Sequence, residues 1–219
     1  MDSAYAQGST PYATAQRFGN RRYGIPCLLA AIAVGCSRGP TRVSAPSVNS
    51  AEAGAEAIRL YDKDGDGKLS GAELDACPGI KLHLAAYDSD GDGAVSQTEI
   101  EAQLQKFVSS KIGQTNLQIA VVWNGRPLAG ATVKLVPEPY LGAQVKPAYG
   151  TTGQAGKAAM DIRDEDLPAS EHGIIGVHCG TYKIEVTHPN IAIPEQYNAQ
   201  TTLGYETEFG NPGFKVSLK

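Results

Sequence analysis

Asp62-Lys-Asp64-Gly-Asp66-Gly67-Lys68-Leu69-Ser70-Gly-Ala-Glu73 and Asp88-Ser-Asp90-Gly-Asp92-Gly93-Ala94-Val95-Ser96-Gln-Thr-Glu99 are one pattern written twice. Aspartates at positions 1, 3 and 5 of each stretch aim three carboxylates into a single turn. Gly67 and Gly93 at position 6 permit a bend that a side chain would obstruct. The backbone carbonyls of Lys68 and Ala94 at position 7 add one oxygen each. Ser70 and Ser96 at position 9 can act through a water, and Glu73 and Glu99 at position 12 close each set with two oxygens. A donor set made only of oxygen suits a large hard cation, which takes about 6–8 such ligands. Leu69 and Val95 at position 8 are apolar, which predicts that the two stretches pair through a short β bridge. Tyr61 and Tyr87 precede the stretches, and Ile58 and Leu84 stand three residues further back, so the repeat extends beyond the acids.

The pattern resembles the EF-hand. That resemblance implies two calcium ions, held by Asp62, Asp64, Asp66, Lys68 and Glu73 in one loop and by Asp88, Asp90, Asp92, Ala94 and Glu99 in the other. Magnesium fits less well, because it prefers a smaller octahedral site and keeps its waters. The loops begin only 26 residues apart, with Pro78-Gly79 between them, so the inner helices must be short. The two methionines are Met1 and Met160, which leaves no Met-rich groove for a target helix. A structural or buffering role is expected rather than the opening motion of a sensor.

Around the loops the apolar period is helical. Ser50 is placed as the cap of a helix running to Tyr61, with Ala53, Ala57, Leu60 and Tyr61 on one face. Residues 73–77 form a short helix stopped by Pro78-Gly79, and residues 80–87 form the second incoming helix. Ser96 with Glu99 makes a capping box for a last helix carrying Ile100, Leu104 and Phe107 and ending at Gly113.

From Thr115 the period changes to two. Leu117, Ile119 and Val121 alternate with polar residues, and Asn124-Gly125 is a hairpin signal. Further strands are expected at 131–136, 149–152, 157–162, 181–187, 201–208 and 214–218. Short strands separated by turn signals indicate a small antiparallel sandwich. Trp123-Asn-Gly-Arg-Pro-Leu-Ala-Gly-Ala-Thr-Val-Lys-Leu-Val-Pro, then Gly150-Thr-Thr-Gly-Gln-Ala-Gly156-Lys, then Gly180-Thr-Tyr182-Lys-Ile-Glu-Val-Thr follow one another in the order of a known module. They resemble the carboxypeptidase-regulatory-like domain, a transthyretin-like sandwich, and Ile193-Pro-Glu-Gln-Tyr197-Asn followed by Thr201-Thr-Leu resembles the version found in exported proteins of planctomycete-type bacteria. That family implies a structural or adhesive module without chemistry of its own. The fold expected is α+β and multidomain, with an EF-hand pair at 50–113 followed by an antiparallel β-sandwich at 115–219.

The N-terminus reads as an export signal. Arg21-Arg22 precede an apolar run at 25–35, which is shorter than the roughly 20 residues needed to span a bilayer. Ala33-Val34-Gly35-Cys36 resembles the lipobox of bacterial lipoproteins, which implies cleavage and a lipid on Cys36. Residues 1–36 are then signal, and 37–49, small, polar and Pro-containing, have the composition of a flexible tether. The formal charge of the chain is -4, and no Lys/Arg stripe offers a nucleic-acid footprint. Without residues 1–35 the chain holds 22 acids, eight of them in the two loops, so metal loading would discharge much of the acidity. Cys77 and Cys179 remain after the signal. An oxidising compartment would permit a disulfide between them, and two separate half-buried thiols are at least as compatible with the sequence.

His83, His172, His178 and His188 form no His-Glu-x-x-His, and no Gly-x-Ser-x-Gly or phosphate-cradling loop occurs. The expectation is a non-enzymatic calcium-binding lipoprotein of the bacterial cell envelope, in the periplasm or at the cell surface. Its sandwich would serve as a structural or interaction module. The competing expectation is a carbohydrate- or protein-binding adhesion module, with Tyr140, Tyr149, Tyr197 and Tyr205 as candidate contacts and calcium purely structural.

Overall fold

Helix α1 (Ser50–Tyr61) is capped one residue earlier than predicted, at Asn49. The Asn49 side chain accepts from the Glu52 N–H at 3.3 Å, and Ser50 instead donates to Gln105 from inside the helix. The computed structural model describes residues 43–207 and 213–219. The expected signal, the Cys36 lipid site and the first residues of the tether lie outside the described residues. The described end of that tether lies against the body. A Cβ on Gly113 would meet the Val43 and Ser44 carbonyl oxygens at 2.5 and 2.7 Å, so the segment crosses the chain there in close contact.

Strand β1 (Lys68–Leu69), helix α2 (Gly71–Ala76), α3 (Pro78–Leu82), α4 (Leu84–Tyr87), β2 (Val95–Ser96) and α5 (Gln97–Ser110) complete the helical region. Pro78 opens α3 rather than ending a helix, since Pro at a first helical position gives up an N–H that has no partner anyway. The predicted 80–87 helix is broken at His83 into α3 and α4. Both Ser70 and Ser96 form capping boxes, with Glu73 and Glu99 reaching back. Lys111 at φ 55 ends α5 two residues before the expected glycine.

The β region holds β3 (Gln118–Trp123), β4 (Arg126–Pro127), β5 (Thr132–Pro137), β6 (Ala148–Thr151), β7 (Lys157–Ala159), β8 (Asp161–Ile162), β9 (Thr181–Thr187), β10 (Gly204–Glu206) and β11 (Gly213–Leu218). One sheet is antiparallel with strand order β10-β9-β5-β6-β8. In the other, β3 pairs with β11, β4 and β7. Asn124 at φ 48 and Gly125 at φ 79 make the tight turn between β3 and β4. The β11–β3 ladder is parallel, so the second sheet is mixed where an antiparallel one was expected. Alternation along 214–218 reports which side chains are buried, not which way the neighbouring strand runs.

Helices and sheets share one core. Ala57, Leu69, Ile80, Ile100 and Leu104 belong to the same buried cluster as Ile119, Val121, Val133, Leu135, Ile184, Val186 and Val216. The link between the loops is pressed onto the first sheet. A Cβ on Gly204 of β10 would fall 2.1 Å from the Pro78 carbonyl carbon and 2.2 Å from the Gly79 nitrogen. Cys77 and Cys179 are both buried and carry no disulfide. Among the described residues no helix is long and apolar enough to cross a membrane.

Candidate metal centre

The two loops share a hydrogen-bond skeleton. Asp62 accepts from the Gly65 and Gly67 N–H groups at 2.6 and 2.9 Å, and Asp88 accepts from Gly91 and Gly93 at 2.7 and 2.9 Å. Asp64 accepts from the Asp66 N–H at 3.1 Å, and Asp90 from Asp92 at 3.2 Å. Asp66 accepts from the Lys68 N–H at 2.8 Å, and Asp92 from Ala94 at 2.9 Å. Glu73 accepts from the Lys63 and Ser70 N–H groups at 2.6 and 3.0 Å, and Glu99 from Ser89 and Ser96 at 2.8 and 2.9 Å. These bonds turn the carboxylates of one stretch toward a common point.

Gly67 and Gly93 sit at φ 83 and 82, as the bend demands. Gly65 and Gly91 at position 4 adopt φ 79 and 76 as well. They belong to the site and were not singled out from sequence, although their repetition at one position in both loops is the signal that marks them. Strands β1 and β2 pair Lys68 with Ser96 and Leu69 with Val95, joining the loops back to back. Leu69 and Val95 are wholly buried beneath that bridge.

Carboxylate oxygens of Asp62, Asp64 and Asp66 lie within 4.8 Å of one another, and so do those of Asp88, Asp90 and Glu99. A calcium ion with oxygens at about 2.3–2.6 Å holds its ligands no more than about 5 Å apart, so both groups fit its coordination sphere. Lys68 and Ala94 stand at position 7 of their loops, where the pattern uses only the backbone oxygen. Two predicted ligands, Glu73 and Asp92, stand outside these groups. Glu73 accepts from the N–H groups of Lys63 and Ser70, the counterparts of the Glu99 bonds. Asp92 pairs across the loops with the Lys68 ammonium, which is the first cause of its lowered pKa and of the raised pKa of Lys68. Burial pushes the Glu99 carboxyl up, but hydrogen bonds from the Ser96 and Ser89 backbones and hydroxyls outweigh it and hold the pKa at about 2. A carboxylate so stabilised stays ionised for a cation.

Behind the loops lie two buried glutamates that sequence reasoning missed. Glu138, fully buried just after β5, accepts from the Tyr61 hydroxyl at 2.6 Å and lies 3.8 Å from the Lys183 ammonium. Glu206 of β10 is 3 % exposed and accepts from Gln103 of α5 at 2.6 Å. The remaining oxygen of each glutamate and the Tyr87 hydroxyl make no hydrogen bond of normal geometry, although Tyr87 and Glu206 lie near enough to perturb each other's ionisation. No local pattern announces a glutamate whose burial depends on a helix far away in the chain.

Burial raises the Glu138 pKa from 4.5 to about 6, against the opposing pull of Lys183 and Tyr61. An acid raised in the folded state holds its proton more tightly there than in the unfolded chain. Its stabilising contribution is therefore complete below pH 4.5 and is lost as pH rises through about 6. Acidification across that window is expected to add about 2 kcal/mol to metal-free stability. Denaturant titrations in chelator at successive pH values measure this, and Glu138→Gln should flatten the slope. An unchanged slope would refute the assignment.

No curated protein and no solved structure matches the chain. Residues 55–77, from the second half of α1 through the first loop to Cys77, match the family model described as EF hand. That match and the aspartate cluster of the same loop suggest calcium binding.

Proposed function

We propose that the chain binds two calcium ions, one in each loop, as a non-enzymatic lipoprotein of the bacterial cell envelope. The observation that carries the reading is the shared hydrogen-bond skeleton of the two loops, with three carboxylates gathered within 4.8 Å in each. The ligand sets are those named from the sequence. Asp62, Asp64, Asp66, Glu73 and the Lys68 carbonyl hold one ion; Asp88, Asp90, Asp92, Glu99 and the Ala94 carbonyl hold the other. When bound, each ion supplies the positive charge that neutralises four crowded carboxylates and ties the ends of its loop together. Asp92 must turn from the Lys68 ammonium to take part, which loading would drive.

A structural role for the ions fits better than sensing. Tyr61 and Tyr87, at the ends of both incoming helices, are buried together with residues of the β region, where a sensor would need to move. The β region is read as a transthyretin-like sandwich serving as a structural or interaction module. Two sheets whose alternate side chains enter one core support that reading. The lipid anchor rests on Ala33-Val34-Gly35-Cys36 alone.

Mass spectrometry of the chain recovered from its own cells tests both halves of the proposal. A mature N-terminus at Cys36 with the mass of an attached lipid is expected, and two calcium ions under non-denaturing conditions. An N-terminus elsewhere removes the anchor, and a chain without calcium at millimolar concentration ends the metal reading.

A further inference from the structure

The incoming helix of each loop ends in a buried tyrosine, and two buried glutamates lie behind the loops. Tyr61 stands immediately before Asp62 and donates to Glu138. Tyr87 stands immediately before Asp88 and is 1 % exposed. The two glutamates flank one residue of β9. The Glu138 N–H donates to the Thr181 carbonyl at 3.0 Å, while Glu206 is the register partner of Thr181 on the other side. Tyr140 completes the strip, its hydroxyl 2.6 Å from the Thr181 hydroxyl and its ring edge-on to Tyr61 at 6.3 Å.

Stability does not account for this arrangement. Burying two carboxylates is costly, and apolar residues of similar size would commonly be as good or better for the fold. What the glutamates add is direction. Tyr61, held at both its ring and its hydroxyl, cannot rotate, and the next residue is the first ligand of its loop. Asp62 also receives the last turn of α1 through its N–H on the Ile58 carbonyl at 2.9 Å. Its carboxylate organises the loop through Gly65 and Gly67. In the second loop Glu206 grips the outgoing helix too, through Gln103.

We propose that Glu138 and Glu206 are positioning residues for the two calcium loops, Glu138 acting through Tyr61 on the first loop and Glu206 through Gln103 on the second. This rests on the two-ion reading above and deepens it: the β region is part of the apparatus that sets calcium affinity, and each glutamate serves its own loop.

Calcium titrations on the full chain with one loop silenced provide the test, Glu99→Gln for reading the first loop and Glu73→Gln for reading the second. Tyr61→Phe, which removes one oxygen, should weaken the first loop about five-fold or more and the second less than two-fold. Gln103→Leu should do the reverse. Glu138→Gln, which keeps an acceptor for Tyr61, should leave the first loop within about two-fold, and Glu138→Leu should match Tyr61→Phe with no further loss in the double variant. Melting in chelator reports purely structural damage separately. Equal weakening of both loops, or unchanged affinity at the first loop despite a lowered melting temperature, overturns the proposal. An unaltered chain that takes up no calcium overturns the two-ion reading itself, a distinguishable result.

Discussion

Replacing Gly204 by alanine should lower the stability of the chain by about 3 kcal/mol, at the upper end of what overpacking costs. The added Cβ would sit 2.1–2.2 Å from the carbonyl carbon and oxygen of Pro78 and the nitrogen of Gly79. Every obstructing atom is backbone, so no rotamer change relieves the overlap. Pro78 cannot swing aside cheaply, because its ring fixes φ and it opens α3. Gly79 packs closely on the two strands β9 and β10, where its own Cβ would meet Thr181 and the Tyr205 carbonyl at 3.3 Å. The helical link and β10 must therefore separate, and the buried residues between them lose contact. For a chain of this size 3 kcal/mol corresponds to a fall of about 6–12 °C in melting temperature. Gly153→Ala is the control, since its Cβ would find nothing nearer than 3.9 Å. Equal stability of the two variants would show that α3 does not rest on β10 as described.

That contact marks the boundary of what the sequence reveals. The loops are legible because all their ligands lie within twelve consecutive residues and because the bend dictates glycine at fixed positions. The β1–β2 bridge follows from two apolar residues at equivalent positions. Strands β3, β5 and β9 announce themselves by alternation, and the Asn124-Gly125 turn by its chemistry. Pro78-Gly79 reads locally as a helix stop. Its other role, a flat place for β10 to approach, depends on a glycine far along the chain, and nothing in either neighbourhood encodes the pairing. Glu138 and Glu206 are hidden for the same reason. Each looks like a surface residue until Tyr61 or Gln103 arrives. The parallel direction of β11 is likewise a property of how the chain returns, which periodicity does not record.

Converting Asp62 and Asp88 together to asparagine should abolish the largest stabilisation available to this protein. An ion that binds only the folded chain adds about 2.7 kcal/mol at one hundred times its dissociation constant and about 4.1 kcal/mol at one thousand times. Two filled loops then contribute about 5–8 kcal/mol, a rise of about 10–30 °C in melting temperature over the chelated chain. Each substitution removes a charged ligand and one of the two oxygens that receive the position-4 and position-6 N–H groups, so neither loop can close well on a cation. In chelator the same change relieves carboxylate crowding, and the variant should melt within a few degrees of the unaltered chain. The two regions must answer together. Leu69 and Val95 beneath the loops share a buried cluster with Ile119 and Val121 of β3, the strand that ends in Trp123. Trp123 is the single tryptophan of the chain, so its fluorescence reports the β region while far-ultraviolet dichroism reports the helices. Calcium should move both transitions by the same amount, and the double variant should move neither. A calcium-induced shift that survives both substitutions would mean that these loops are not where the ion binds. A helical shift that leaves Trp123 unmoved would mean that the ions stabilise the helices alone and that the common core transmits nothing to the sheets.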